Sequence, residues 1–311
     1  MDLFFVIISI VLLFLIAMII VLSMIGPVIL VRPRRRTAEF YRPITGIVSP
    51  DQIPLSFENL TITTHDGLTL SGWLLKAPTP RKGTIVYLHG VGDCKESGLP
   101  LSRVFCRNGY DTALIDLRAH GVSGGEYCTY GYYEKLDLCR LIDVLEKQKN
   151  GIGPLILFGT SMGAAIAIQT AAMEKRVRVV VSEGCFTDLR TISVDYQTRI
   201  AKLPWHFVRN LVIHRAEKLA HFKHREISPL LSVEHISVPI LFIHGKKDPR
   251  VKYEYSELLF SRAPEPKKLY LIDEARHVDV WEVAGKEYEA TIFDFLDNHI
   301  ARQKNNETPR L

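Results

Sequence analysis

The chain opens on an unbroken apolar run. Across residues 3–25 only Ser9 and Ser23 are polar, and no polar face interrupts the pattern. At about 1.5 Å per helical residue, such a run crosses a hydrocarbon core of roughly 30 Å. The pattern predicts a single-pass transmembrane anchor over residues 1–31. A cleaved signal peptide fits less well, because no Lys or Arg precedes the run, the run is too long and no small-x-small site follows it. A buried core helix would show a polar face.

Beyond the anchor the pattern changes twice. Residues 32–54 carry several prolines and no period, which reads as a basic juxtamembrane linker. From residue 55, short β-rich apolar runs alternate with stretches of helical spacing. Runs at 55–63 and 68–75 flank His65-Asp66-Gly67, a hairpin signature. Further strand-like runs lie at 84–88, 112–116, 155–158, 177–181, 240–243 and 268–272. Helical stretches lie at 136–147, 164–173, 253–261 and 287–299. Continuous apolar strands alternating with helices predict an α/β domain over residues 55–300, with a mainly parallel sheet of about eight strands covered on both faces.

The interval 186–232 is longer than a crossover needs. It holds Pro204-Trp205 and a basic amphipathic run at 207–225, and it predicts a small helical cap. Within it Phe207, Val208, Leu211, Val212 and Leu219 are expected on one side, with Arg209, Arg215, Lys218 and Lys223 on the other. That helix either rests on an anionic surface or packs on the domain with its basic face in water. Residues 301–311 form a polar tail.

Composition adds limits. Of the 311 residues, 47% are hydrophobic and 23% charged, which suits a globular domain with a real core. The net charge of +5 is concentrated in Arg32, Arg34, Arg35 and Arg36, directly after the apolar run. Only Asp2 flanks the other end, so the positive-inside rule sets the catalytic domain on the cytoplasmic side. The sequons Asn59-Leu60-Thr61 and Asn306-Glu307-Thr308 point the other way, but such tripeptides arise by chance. No basic stripe interleaved with aromatics supports nucleic-acid binding. Five cysteines without a Cys-x-x-Cys pair argue against a disulfide framework or a zinc site. No phosphate-binding loop or dinucleotide fingerprint occurs, so no cofactor and no metal are implied. Oligomeric state leaves no mark.

The chemistry begins at Gly159-Thr160-Ser161-Met162-Gly163. This Gly-x-Ser-x-Gly follows an apolar strand and precedes a small-residue helix, the setting of a nucleophile elbow. A serine hydroxyl needs a base, usually a histidine oriented by a carboxylate. Asp248 follows the strand at 240–243 and His277 follows the strand at 268–272, so both sit at the strand ends where open α/β sheets bind ligands. Glu183 and Asp188 are rival acids; Asp273, Glu274 and Asp279 lie near His277. His299 falls at the end of the last helix, which leaves His277 as the base. The oxyanion of an acyl-transfer intermediate needs backbone donors. Met162 N–H is one and Val91 N–H, in His89-Gly90-Val91-Gly92, is the other, with Gly92 as its rival. His89 reads as a residue that shapes this loop. The polar turn from Asp116 to Gly124, with Arg118 and His120, reads as structural.

Taken together, these motifs resemble the α/β-hydrolase superfamily. More narrowly, the chain is similar to the serine aminopeptidase S33 and monoacylglycerol-lipase-like group over residues 55–300. Arg276 departs from the pattern, since relatives often carry Gly before the histidine. The resemblance implies an α/β-hydrolase fold and a membrane-anchored serine hydrolase of acyl esters, lipid or small, possibly thioesters, with Ser161, Asp248 and His277 as its triad. Two other readings stay open: an aminopeptidase-like hydrolase of short peptides, and a membrane-tethered binding module without catalysis.

Overall fold

The computed structural model describes residues 3–78, 80–148, 151–201 and 206–306. Pro204 and Trp205, which mark the middle of the expected cap, lie outside the described residues, as do tail residues 307–311.

Helix α1, Leu3–Val31, runs for 29 residues, about 43 Å at the rise of an α-helix. Its first half is bare apolar surface. Its second half docks: Val31 is fully buried in the main core, the Val31 carbonyl accepts from Cys128 N–H at 2.8 Å, and the Leu30 carbonyl accepts from Tyr130 O–H at 2.6 Å.

The segment expected as a linker also lies on the domain. It contains the short helix α2, Ala38–Thr45, whose Tyr41 donates to Asp93. Arg35 donates to the carbonyls of Gly121 and Ser123 at 3.3 and 2.7 Å. Periodicity could not show this helix, because it is only 8 residues long and contains Pro43.

The domain then alternates strands and helices: β1 Phe57–Thr63, β2 Thr69–Leu75, β3 Gly83–Leu88, α3 Leu99–Arg107, β4 Tyr110–Ile115, α4 Glu134–Glu146, β5 Leu155–Thr160, α5 Met162–Ala171 and β6 Val177–Glu183. The cap follows with α6 Leu189–Ala201, α7 His206–Ala220 and α8 Pro229–Val233. The chain returns with β7 Ile240–Gly245, α9 Glu254–Arg262, β8 Lys267–Ile272 and α10 Val280–Asn306. The sheet has 8 strands in the order β1-β2-β4-β3-β5-β6-β7-β8. β1 pairs antiparallel with β2, and β2 with β4; the remaining pairs are parallel.

The pattern of the strands explains their places. β3, β4 and β7 are buried at every residue, as strands covered on both faces must be. β1 buries only Leu60 and Ile62, and it forms the sheet edge. Side chains of β3 alternate between two cores. Val86 and Leu88 face α4 and α5, while Ile85 and Tyr87 face α3 and α10. The mouth of the site therefore lies at the C-terminal ends of β3, β5, β7 and β8.

The cap differs from expectation in one respect. Helix α7 packs on α1 and α6, and its buried residues are Val208, Ile213, Ala216 and Ala220, whereas Phe207 is 72% exposed. A helix held between two neighbours buries a wider arc than one amphipathic stripe. The contacts also fix its direction. A Cβ on Gly26 would lie 2.8 Å from a Val212 methyl, and Arg215 donates to Ser23 Oγ at 3.3 Å. Helix α7 therefore runs antiparallel to α1.

Candidate active site

Ser161 sits in a backbone conformation that L-residues avoid, at φ 53° and ψ −114°. Such a strained residue costs about 1–3 kcal/mol, a cost met by the packing around it. The turn demands its glycines. A Cβ on Gly159 would fall 2.2 Å from the Gly163 carbonyl oxygen, and one on Gly163 would fall 2.0 Å from the Leu88 carbonyl oxygen. No side chain fits at either position, so strand β5, the turn and helix α5 close on each other only with glycine.

The side chain this turn presents meets His277. His277 Nε2 lies 3.0 Å from Ser161 Oγ, and His277 Nδ1 lies 2.5 Å from Asp248 Oδ2. With Nδ1–H donating to the carboxylate, Nε2 is left to accept the serine proton. Both partners are shielded from water: the Asp248 side chain is 1% exposed and that of His277 8%. The three residues come from the ends of β5, β7 and β8, as the order of strands and motifs predicts.

Asp248 is held on all sides. Its Oδ1 accepts the N–H groups of Arg250 and Val251 at 2.7 and 3.0 Å. Its Oδ2 also faces His244 Nε2 at 3.1 Å. Burial alone would push this carboxyl up, but donors from His244, His277 and the Val251 backbone outweigh it and hold the group well below the usual carboxylate range. His244 was not foreseen from the sequence. It sits inside β7, and its Nε2 also faces the Val251 carbonyl at 3.0 Å, an acceptor. Facing two acceptors, Nε2 carries the proton, and His244 Nδ1, 2.7 Å from Ser256 Oγ, accepts. A histidine in an otherwise apolar strand, four residues before the acid, is the only mark it leaves in the sequence.

The rival acids are engaged elsewhere. Glu183 accepts from Tyr288 O–H at 2.5 Å, and burial pushes its carboxyl up to about 7 against the lowering effect of that bond. Asp188 caps α6 through Thr191 N–H at 2.8 Å and Thr191 Oγ1 at 2.6 Å. Asp273 pairs with Lys246, Glu274 with Lys247, and Asp279 accepts from Arg276 N–H. His299 faces the Phe295 carbonyl within α10 at 2.7 Å.

The loop after β3 lies beside the serine. Gly90 to Asp93 is a turn closed by Asp93 N–H to the Gly90 carbonyl at 3.2 Å, with Gly92 at φ 73°. A left-handed third residue is what a type II turn requires. Val91, Gly92, Ser161 and Met162 line one cavity. Among the described residues neither Val91 N–H nor Met162 N–H donates a hydrogen bond. His89 shapes this loop. Its Nε2 accepts from Leu117 N–H at 3.1 Å, so its Nδ1–H donates to the Gly90 carbonyl at 2.8 Å. The turn behind it is structural. Asp116 binds Lys95 Nζ at 2.6 Å, and Arg118 is clamped by Asp137 at 2.7 Å and Asp66 at 3.0 Å.

Comparison with known proteins agrees with this architecture. The family model of serine aminopeptidase, S33, matches residues 79–228. The solved esterase Pf2001 of Pyrococcus furiosus is similar at 25% identity and a TM-score of 0.71, covering 86% of this chain and 99% of its own. This chain has the α/β-hydrolase fold. The hydrolase is also 28% identical to the uncharacterised protein YqkD of Bacillus subtilis, over 78% of this chain and 82% of that one. It is 25% identical to bem46 of Schizosaccharomyces pombe, over 81% and 80%.

The cavity of the hydrolase is about 980 Å³ and mainly apolar. Its wall includes Phe186, Leu189, Ile192 and Tyr196 from the cap side, together with Arg32, Arg34, Arg36 and Arg209. Among the described residues, no Asp or Glu lines it.

Proposed function

We propose that the hydrolase is a membrane-anchored serine esterase that cleaves acyl esters through Ser161, His277 and Asp248. The observation that carries this reading is the pair of hydrogen bonds, 3.0 Å from His277 Nε2 to Ser161 Oγ and 2.5 Å from His277 Nδ1 to Asp248 Oδ2. His277 takes the serine proton as Ser161 Oγ attacks the acyl carbonyl. Asp248 stabilises the imidazolium that forms. The negative charge on the carbonyl oxygen is met by Val91 N–H and Met162 N–H, with the N-terminus of α5 behind the latter. His277 then gives its proton to the leaving alcohol, and the acyl group stays on Ser161. Water attacks that ester by the same route in reverse, releasing the acid.

The lining of the cavity supports esters over peptides. An aminopeptidase must hold a protonated α-amine, which calls for a carboxylate at the site. Among the described residues, this cavity is walled by four arginines and no acid. Arginines repel an ammonium group and tolerate the carboxylate product of ester hydrolysis. An idle binding module would have no need of three residues from three strand ends held in hydrogen-bonding register.

Helix α1 serves as the anchor in this reading. It is long and apolar enough to cross a bilayer, and the docking of its second half on the domain favours its retention over cleavage. The arginines that follow it argue for a catalytic domain in the cytoplasm. Protease protection in sealed vesicles tests the side: digestion of the domain from the lumenal or outer face would overturn it.

A panel of acyl esters set against aminoacyl amides tests the chemistry. The proposal expects ester turnover that disappears in Ser161→Ala. Turnover of amides with a free α-amine, at equal or greater kcat/KM, would overturn it.

A further inference from the structure

The cavity that contains Ser161 is not closed by the domain alone. Met18, Leu22, Gly26, Ile29 and Leu30 of α1 form part of its wall, together with Val208, Val212 and Ile213 of α7. A helix that only tethers would have no side chains beside the nucleophile. Met18 and Leu30 are twelve residues apart, so the cavity follows α1 for about 18 Å.

The depth of this wall follows from the helix itself. Counting from Leu3, about twenty residues of helix cross the hydrocarbon core of roughly 30 Å, which brings the domain-side boundary close to Leu22 and Ser23. One side chain marks the same level independently: Arg215 of α7 donates to Ser23 Oγ at 3.3 Å. Guanidinium and ammonium groups settle at headgroup depth. Gly26, Ile29 and Leu30 thus stand above the boundary, in the wall of the cavity that holds Ser161, while Met18 and Leu22 reach below it. A cavity with one end at the nucleophile and the other at the acyl-chain layer has a natural occupant.

We propose that the anchor is a wall of the substrate channel, and that an ester with a long acyl chain slides from the bilayer along the cavity-facing side of α1 to Ser161 without crossing water. Residues Met18 and Leu22 then set which chains the enzyme takes. This rests on the esterase reading and adds to it the substrate class, an acyl ester dissolved in the membrane, and the route by which it arrives. The close approach of Gly26 to Val212 keeps the two helices packed above the opening. The apolar lining supplied by α1, Val208, Val212 and Ile213 suits a methylene chain.

The experiment uses full-length protein in lipid nanodiscs, with p-nitrophenyl esters of four and sixteen carbons. Leu22→Trp fills the channel, and Leu22→Ala widens it. Fluorophosphonate labelling of Ser161 reports that each variant is folded. The ratio of sixteen- to four-carbon kcat/KM is expected to fall at least tenfold in Leu22→Trp, and to rise or hold in Leu22→Ala. Should Leu22→Trp fail to label, Met18→Trp replaces it with the same expectation. A ratio within twofold of wild type in a labelled tryptophan variant overturns the channel while leaving the esterase reading intact. Wild-type protein that neither labels nor cleaves either ester overturns the esterase reading, and the channel falls with it.

Discussion

His244 and His277 share one oxygen of Asp248. His277 approaches Oδ2 at 2.5 Å through Nδ1, and His244 approaches it at 3.1 Å through Nε2. The first faces the serine, while the second is wholly buried in β7 and is not among the residues that line the cavity. His244 therefore acts through Asp248, by fixing the direction in which the carboxylate points. Replacing it with Phe removes that donor and leaves the Val251 carbonyl without its side-chain partner. The expected result is a kcat lowered about tenfold with KM little changed, together with a stability loss of about 1–3 kcal/mol. Separate kcat and KM values, with a melting curve, check both parts.

Asp248 itself carries more weight. Asp248→Asn keeps the shape but presents His277 with the wrong partner, and in Ser-His-Asp sites this lowers kcat by roughly three to four orders of magnitude. Glu183→Gln, at the rival position, should stay within tenfold of wild type, because Glu183 bonds to Tyr288 and not to His277. The two variants assayed side by side on a four-carbon ester decide which carboxylate serves the histidine.

The elbow allows no side chain at Gly163. A methyl group there would lie 2.0 Å from the Leu88 backbone oxygen, which cannot move without breaking β3 from β5. Gly163→Ala should cost more than about 3 kcal/mol and abolish labelling of Ser161. At Gly46, where no atom lies within 4 Å of an added Cβ and only the left-handed backbone objects, the same change should cost about 1–2 kcal/mol. Thermal melting of the two variants measures the contrast.

Glu183 gives stability a defined pH dependence. Its carboxyl is pushed up to about 7 in the fold, from an ordinary value of 4.5. Between those two values the folded protein holds a proton that the unfolded chain has lost. This contribution is therefore full below pH 4.5 and is lost as pH rises through 7, amounting to about 3 kcal/mol. The melting temperature in detergent should fall from pH 5 to pH 7.5, and Glu183→Gln should flatten that part of the curve.

Much of this fold was legible in the sequence because its central strands are covered on both faces. Runs such as that of β3 are continuous in apolar residues, and their ends are punctuated by glycine. The candidate site was legible for a related reason: Ser161, Asp248 and His277 each follow such a run, and topology alone brings strand ends together. Helix α3 escaped notice, since Pro100, Ser102 and Arg103 break up its apolar spacing. Helix α10 begins earlier than its pattern suggests, because Gly285 at φ 54° interrupts the period that would have joined its two parts. The docking of α1 on α7 could not be read at all. A helix that is apolar on every side has no stripe to show which face meets protein and which meets lipid. His244 was hidden by the same logic in reverse, as one polar residue in a strand whose burial pattern is uniform.

The central claim is that Ser161 is an activated nucleophile. Labelling of the membrane-embedded protein with a fluorophosphonate probe measures this directly, in wild type and in Ser161→Ala. The account predicts strong labelling of wild type and none of the variant. A folded wild type that stays unlabelled, or a Ser161→Ala variant that labels as well as wild type, would contradict it.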